Sequence, residues 1–217
     1  MKRILIGSPV QQKPDILKQF LDSLRELDTS SFDIHYLFYD DNIDERSRDM
    51  LVRFQQEHPQ RVHLRANEQQ DRKRYVTDEI THHWTDEHVW KVAAMKDEII
   101  GYAIEHSFDY LFLVDSDLVL HPATLQQLVR ANKDIIANIF WTRWQPQATP
   151  LPQVWLKDQY TLFESRRGEQ LDEQEMKRRI QAFLNKLQVP GIYEVGGLGA
   201  CTLISRRALE KGCRFAR

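Results

Sequence analysis

The feature that most restricts this chain is an apolar run that ends in two acids. Tyr110-Leu-Phe-Leu-Val114 leads directly into Asp115-Ser116-Asp117. A short continuous run rich in aromatic and β-branched residues is the pattern of a strand covered on both faces. Carboxylates at the mouth of such a strand need a neutralising partner, because unpaired buried charge is costly. In an extended chain, residues i and i+2 point to one side. Asp115 and Asp117 are therefore expected to meet one partner between them. A hard divalent cation, Mg²⁺ or Mn²⁺, that also holds phosphate oxygens suits two carboxylates. The tripeptide alone also fits a turn capped by Asp. Position gives it weight: it closes a core strand, and His121-Pro122 then stops the extended run.

The rest of the chain alternates strand-like and helix-like segments. Lys2–Gly7 reads as a first strand ending in a loop at Ser8-Pro9-Val10. Pro14 suits the first turn of a helix, and Ile16, Leu17, Phe20, Leu21, Leu24 and Leu27 then recur at helical spacing. Asp33–Tyr39 is a second strand, and it too runs into acids, Asp40-Asp41-Asn42. A helix over Glu45–Glu57 and a short strand over Arg61–Leu64 follow. The spacing of Val92, Met95, Ile99, Ile100 and Ala103 predicts a long helix over Val89–His106. After the Asp-Ser-Asp segment come a helix to Arg130, a strand over Asp134–Phe140, an extended stretch at Val154–Phe163 and an amphipathic helix over Leu171–Leu187. A short strand at Ile192–Val195 leads to Gly196-Gly-Leu-Gly199. Cys201–Ile204 is apolar again, and Ser205 caps a short helix that ends at Gly212.

This alternation predicts an α/β fold with a mostly parallel central sheet flanked by helices. In such sheets ligands collect beyond the carboxyl ends of the strands. Four unusual segments are expected at that rim: Ser8-Pro9, Asp40-Asp41, Asp115–Asp117 and Trp141-Thr-Arg-Trp144.

At 217 residues, one domain is the expectation. Lys and Arg (30) nearly balance Asp and Glu (32), and no basic stripe stands out, so nucleic acid is not an expected partner. Only Cys201 and Cys213 are present, with no signal peptide and no apolar run of membrane-spanning length, which fits the cytoplasm. His82, His83 and His88 lie in a polar stretch, but their spacing matches no standard ligand pattern, and a solvated loop or helix face is expected.

The rim residues suggest a chemistry. Asp41 can accept hydrogen bonds from a base N–H or a ribose hydroxyl; its other reading is an N-cap for the following helix, with Asp40 as cap or orienting neighbour. A cation at Asp117 would neutralise a diphosphate. Trp141 and Trp144 offer flat faces for a sugar ring, or are ordinary packing. Lys96 either reaches the diphosphate or lies on a solvated helix face. At least one glycine of 196–199 is expected in a turn at positive φ. Together these describe a site for a nucleotide-diphosphate-sugar, in which transfer has oxocarbenium-like character.

The same residues resemble the motifs of GT-A fold glycosyltransferases, most closely the family 2 type. Strand-then-Asp115-Ser116-Asp117 resembles that family's Asp-x-Asp motif, and Tyr39–Glu45 resembles its second-strand exit. The resemblance implies that Asp41 reads the base, uracil of a UDP-sugar. It further implies that Pro9 and Val10 line the base pocket, that Asp115 lies near ribose and metal, and that Asp117 ligates Mn²⁺ or Mg²⁺. Gly196–Ala200 and Ile204–Leu209 resemble the segment flanking the donor sugar, which places Gly197 beside it. An unknown saccharide or other acceptor completes an inverting transfer.

One departure stands out. The family's general base follows the Gly-rich segment and helix, and here no acid lies beyond Glu210. A late metal-binding His is also missing. Glu194 is the acidic candidate beside the Gly-rich loop. The chain is therefore expected to lack the C-terminal part of a full GT-A domain. Alternatives are a non-catalytic nucleotide-sugar-binding module and a sugar-phosphate nucleotidyltransferase. The second resembles the chain less, because no Gly follows Gly7 in the first loop. A dinucleotide-dependent oxidoreductase is disfavoured, since no Gly-x-Gly-x-x-Gly opens the first helix.

Overall fold

The computed structural model describes residues 1–66, 76–77, 82–83, 85–143, 147–157 and 161–215, with 76–77 and 82–83 described by their backbone. In chain order the elements are β1 (Lys2–Val10), α1 (Pro14–Arg25), β2 (Phe32–Asp40), α2 (Glu45–Glu57), β3 (Val62–Ala66), β4 (Val76–Thr77), β5 (His82–His83), α3 (Asp86–Glu105), β6 (Tyr110–Val114) and α4 (Thr124–Arg130). Then follow β7 (Ile135–Ala137), β8 (Trp141–Thr142), β9 (Leu151–Pro152), β10 (Val154–Trp155), α5 (Glu173–Leu187), β11 (Gly197–Leu198), β12 (Cys201–Ser205) and α6 (Arg206–Glu210). The chain forms two compact units, one of residues 1–138 with 201–217 and one of residues 139–200.

The first unit is an α/β layer structure. Its six-stranded sheet runs β3-β2-β1-β6-β12-β7. β1, β2, β3 and β6 are mutually parallel, and β12 is antiparallel to both of its neighbours. Ile4, Leu5 and Ile6 are wholly buried, as a strand covered on both faces requires. Side chains alternate across the sheet. On one face Tyr36 and Phe38 pack with Phe54 of α2, and Phe38 also meets Phe20 of α1. On the other face Leu5, Leu37, Leu111 and Leu113 form a core with Met95, Ile99 and Ile100 of α3. Gly7 lets α3 come close, because a Cβ there would collide with Ile99.

α3 begins before the expected Val89. Thr85 caps it, its Oγ1 accepting from the His88 N–H at 3.3 Å, and Asp86 and Glu87 suit the positive end of the helix dipole. His88 is buried, with its Nδ1 2.7 Å from Thr85 Oγ1. Its place is in the helix start, not on a solvated face. Among the described residues, no group of three or more His, Cys, Asp or Glu is arranged to hold a metal.

Three further expectations are corrected. Ser8-Pro9-Val10 is not a loop but the end of β1. β6 pairs with β1 only as far as Gly7, so Pro9 lies where β1 has lost one neighbour and a missing N–H is tolerated. Ile192–Val195 forms no strand; the pairing lies beyond it, Gly197 and Leu198 against Trp155 and Val154. The expected strand over Asp134–Phe140 shortens to Ile135–Ala137, the length over which β12 can pair with it.

The second unit has its own small core, in which Val154, Phe183 and Leu187 pack with Ile139, Leu156, Leu162, Tyr193, Val195 and Leu198. Its helix α5 is capped by Asp172, whose side chain accepts from the Glu175 N–H at 2.7 Å. Among the described residues, no helix is long and apolar enough to cross a membrane.

Candidate functional site

Strand parity decides which side chains meet. Leu5, Gly7 and Pro9 of β1 share one parity, as do Leu37 and Tyr39 of β2 and Leu111 and Leu113 of β6, and the core shows that this parity faces α3. Asp41 and Asp115 continue the same parity just past the ends of β2 and β6. Both acids are thus delivered to the α3 side of the carboxyl rim.

A cleft of about 140 Å³ opens there. The end of β1 supplies Pro9 and Val10, with Gln11 and Gln12 just beyond. Asp41 comes from the exit of β2, and Asp115, Ser116 and Asp117 from the exit of β6. Val92, Met95 and Lys96 of α3 form the opposing wall. Pro9, Val10, Asp41, Lys96, Asp115 and Asp117, singled out from sequence, therefore line one cavity.

Asp41 is not the helix cap; Asp44 is, its side chain accepting from the Arg46 N–H. Asp41 is instead held on both oxygens. Lys91 Nζ donates to Oδ1 at 2.8 Å and to Oδ2 at 2.7 Å, and Gln11 Nε2 donates to Oδ2 at 3.0 Å. Gln11 Nε2 also reaches the Asp41 carbonyl at 2.9 Å, and the Asp41 N–H donates to the Val10 carbonyl. Asp40 is the orienting neighbour: its Oδ1 accepts from the Asn42 N–H and Nδ2. Asn42 in turn accepts from the Gln12 N–H at 2.8 Å. The loops after β1 and β2 are thus tied into one wall.

The β6 exit departs from the extended geometry expected. The strand stops at Val114, and the Leu118 N–H donates to the Asp115 carbonyl at 3.3 Å, closing a turn. Simple i, i+2 alternation therefore does not align Asp115 with Asp117; the turn brings both to the cleft. Ser116 is buried between them, and Asp117 is exposed. Lys96 Nζ donates to Asp115 Oδ1 at 3.0 Å, so Lys96 is a cleft residue, not part of a solvated face. The Lys96 ammonium also lies 5.4 Å from the centre of the Phe215 ring. Cys201 pairs with Val114 in the sheet, and burial, with the nearby Asp115 charge, pushes its thiol up to about 12. It is a packed thiol and not a nucleophile.

Sequence reading missed Gln11 and Lys91. The signal for Lys91 was present. It is adjacent to Val92 and one turn before Met95, on the helix face already assigned inward.

The remaining candidates lie in the second unit or outside the described residues. Trp141 is in β8, paired with β9, and 36% exposed. Trp144 lies outside the described residues. Glu194 is exposed. Gly196, Gly197 and Gly199 do not have positive φ. Their requirement is close approach: a Cβ on Gly197 would strike the Trp155 indole, one on Gly196 the Leu156 carbonyl, and one on Gly199 the Gln153 carbonyl.

A family model described as glycosyltransferase family 25, N-terminal domain, matches residues 1–145. No curated protein matches the chain. Among solved structures, the chain is similar to the mannosyltransferase PcManGT from Pyrobaculum calidifontis in complex with GDP-Man and Mn²⁺, at 14% identity and a TM-score of 0.47, covering 96% of this chain and 46% of that one. It is also similar to TarS residues 1–349 from S. aureus, at 16% identity and a TM-score of 0.39, covering 62% of this chain and 34% of that one. The chain thus spans less than half the length of either protein.

Proposed function

The chain belongs to glycosyltransferase family 25, whose N-terminal domain it matches, and from that premise we propose that its cleft binds the nucleotide diphosphate of a sugar donor for metal-dependent, inverting transfer to an acceptor. The observation that carries this reading is the convergence of three strand exits on one cavity, with Asp41, Asp115 and Asp117 at its wall. A nucleoside diphosphate needs such a mixture. Pro9, Val10, Val92 and Met95 offer apolar surface for a base and ribose. Asp41, fixed by Lys91 and Gln11, offers acceptors to a base N–H, as uracil of UDP would require. Lys96 brings positive charge to the diphosphate end.

The residues present suit a hard cation. Asp115 and Asp117 border the same cavity, and Mg²⁺ or Mn²⁺ typically takes one or two carboxylates, with substrate phosphates and water completing the shell. Such an ion, when bound, supplies Lewis-acid stabilisation to the departing diphosphate. The chain's own share is positioning and preorganised charge around the breaking bond. Trp141 and Trp144 as sugar platforms rest on their aromatic chemistry, Gly197 as a sugar contact on the sequence resemblance, and Glu194 as base on its place beside the Gly-rich segment. Both cysteines are thiols, in keeping with action in a reducing compartment.

The test is calorimetric titration of UDP with and without Mn²⁺, repeated on Asp117→Ala. Metal-dependent binding that the substitution abolishes supports the reading, and metal-independent binding, or no binding of either UDP or GDP, overturns it. GDP in parallel decides the base. Hydrolysis of a UDP-sugar donor then separates an enzyme from a module that only binds.

A further inference from the structure

α3 sends two lysines to two strand-exit acids, and the two pairs are built differently. Lys91 and Asp41 have side chains only 12% and 3% exposed, joined by two donations and backed by Gln11. Lys96 and Asp115 are 18% and 41% exposed and share a single hydrogen bond of 3.0 Å. The first pair is buried, so cutting one partner leaves the other charge in the interior. The second lies open to the cleft, where exchange costs little. A diphosphate carries more negative charge than one carboxylate and would enter beside Asp115.

Resting on the donor-binding reading above, we propose that Lys96 is an exchangeable counter-ion. It holds Asp115 while the cleft lacks a donor, and it passes to the diphosphate when one enters. Asp115 is then released to the divalent cation at the same moment. The consequence is positive coupling between metal and nucleotide. The metal alone competes with an ammonium for Asp115, and the nucleotide removes that competitor. No covalent bond is made or broken in this exchange: the Lys96–Asp115 hydrogen bond is given up for an ammonium–phosphate pair and a carboxylate–cation pair. The Phe215 ring lies 5.4 Å from the ammonium, and the Phe215 N–H donates to Asp97 Oδ1 at 2.7 Å, so Lys96 has a second contact to keep as it turns.

The experiment measures Mn²⁺ alone, UDP alone, and Mn²⁺ with saturating UDP, by calorimetry and by the electron paramagnetic resonance of bound Mn²⁺. It compares the natural chain with Lys96→Gln and Lys96→Arg. In the natural chain, UDP is expected to tighten Mn²⁺ binding by roughly tenfold or more, within the usual range of coupling between sites. Lys96→Gln should tighten binding of Mn²⁺ alone, weaken that of UDP alone, and reduce the coupling toward unity. Lys96→Arg, which keeps the charge, should preserve the natural pattern and serves if the glutamine variant fails to fold. If Lys96→Gln binds Mn²⁺ alone no better than the natural chain, or if Lys96→Arg behaves as an uncharged variant, the counter-ion role is overturned while donor binding stands. If the natural chain binds neither UDP nor GDP with Mn²⁺, both readings fall together.

Discussion

Two lysine–carboxylate pairs on one helix show how burial, more than chemistry, sets what an ion pair does. Lys91–Asp41 is enclosed and multiply bonded, and it ties α3 to the exit of β2. Lys96–Asp115 has the same two functional groups but is solvated on the acid side. The low-dielectric pair is costly to break because either partner would be left charged in the interior. The solvated pair is cheap to break, because water and salt replace the partner. One pair builds the wall of the cleft, and the other is available to a ligand.

The sharpest way to break this contrast is Lys91→Ala. It strands Asp41, and a loss of about 3–5 kcal/mol is expected from urea denaturation, as for other buried pairs cut on one side. Removing both charges should recover much of that loss, so Asp41→Leu with Lys91→Met is expected to be markedly more stable than Lys91→Ala alone. That double variant should still fail to bind UDP in a calorimeter, since Asp41 is gone. Lys96→Ala is expected to change stability by less than about 1 kcal/mol, measured in the same way. If Lys91→Ala and Lys96→Ala cost the same, the distinction between the two pairs fails.

The smallest effect is expected outside the cleft. Burial first, then the charges of His35, His106 and Arg65, holds His63 on β3 below its usual 6.5. A histidine whose folded-state value is lowered takes up its proton more readily when unfolded. Its contribution is therefore complete above pH 6.5 and is lost as pH falls from there through the folded value. His63→Phe should flatten the stability profile in that window, read by urea midpoints between neutral and mildly acid pH. A flat profile in the natural chain would show that His63 does not set it.

Most of the first unit was legible in the sequence, because its core obeys simple periods. The apolar runs of β1, β2 and β6 and the helical spacing of α1, α2 and α3 each appear within a residue or a few of their observed limits. The family match supports the reading as a glycosyltransferase. The placement of Asp41 and Asp115 on one rim followed from strand exits in a parallel sheet. Their pairing with Lys91 and Lys96 did not, although Lys96 was a candidate and Lys91 shares the inward helix face. Lys91 and Lys96 lie on a helix whose distance from the rim depends on how closely α3 packs at Gly7, a tertiary contact that no local pattern encodes. The turn at Asp115–Leu118 was one of two readings the sequence left open, because apolar residues continue through Leu118-Val-Leu120 and imitate a longer strand. In the 139–200 unit the strands are two residues long, too short for any period to declare itself. There glycine marked close packing against Trp155 and its neighbours, where a turn had been expected.

β12 has a consequence for how this molecule is assembled. β6, which carries the acidic turn, gains its second neighbour only from Cys201–Ser205, after a long intervening stretch of chain. Until that strand arrives, one edge of β6 is bare, with its amide row open to any passing partner. Maturation of the cleft's floor thus waits on a distant pairing, which slows the search for the native state. A nascent chain released before residue 201 would carry every cleft-lining side chain and still lack the brace beside them.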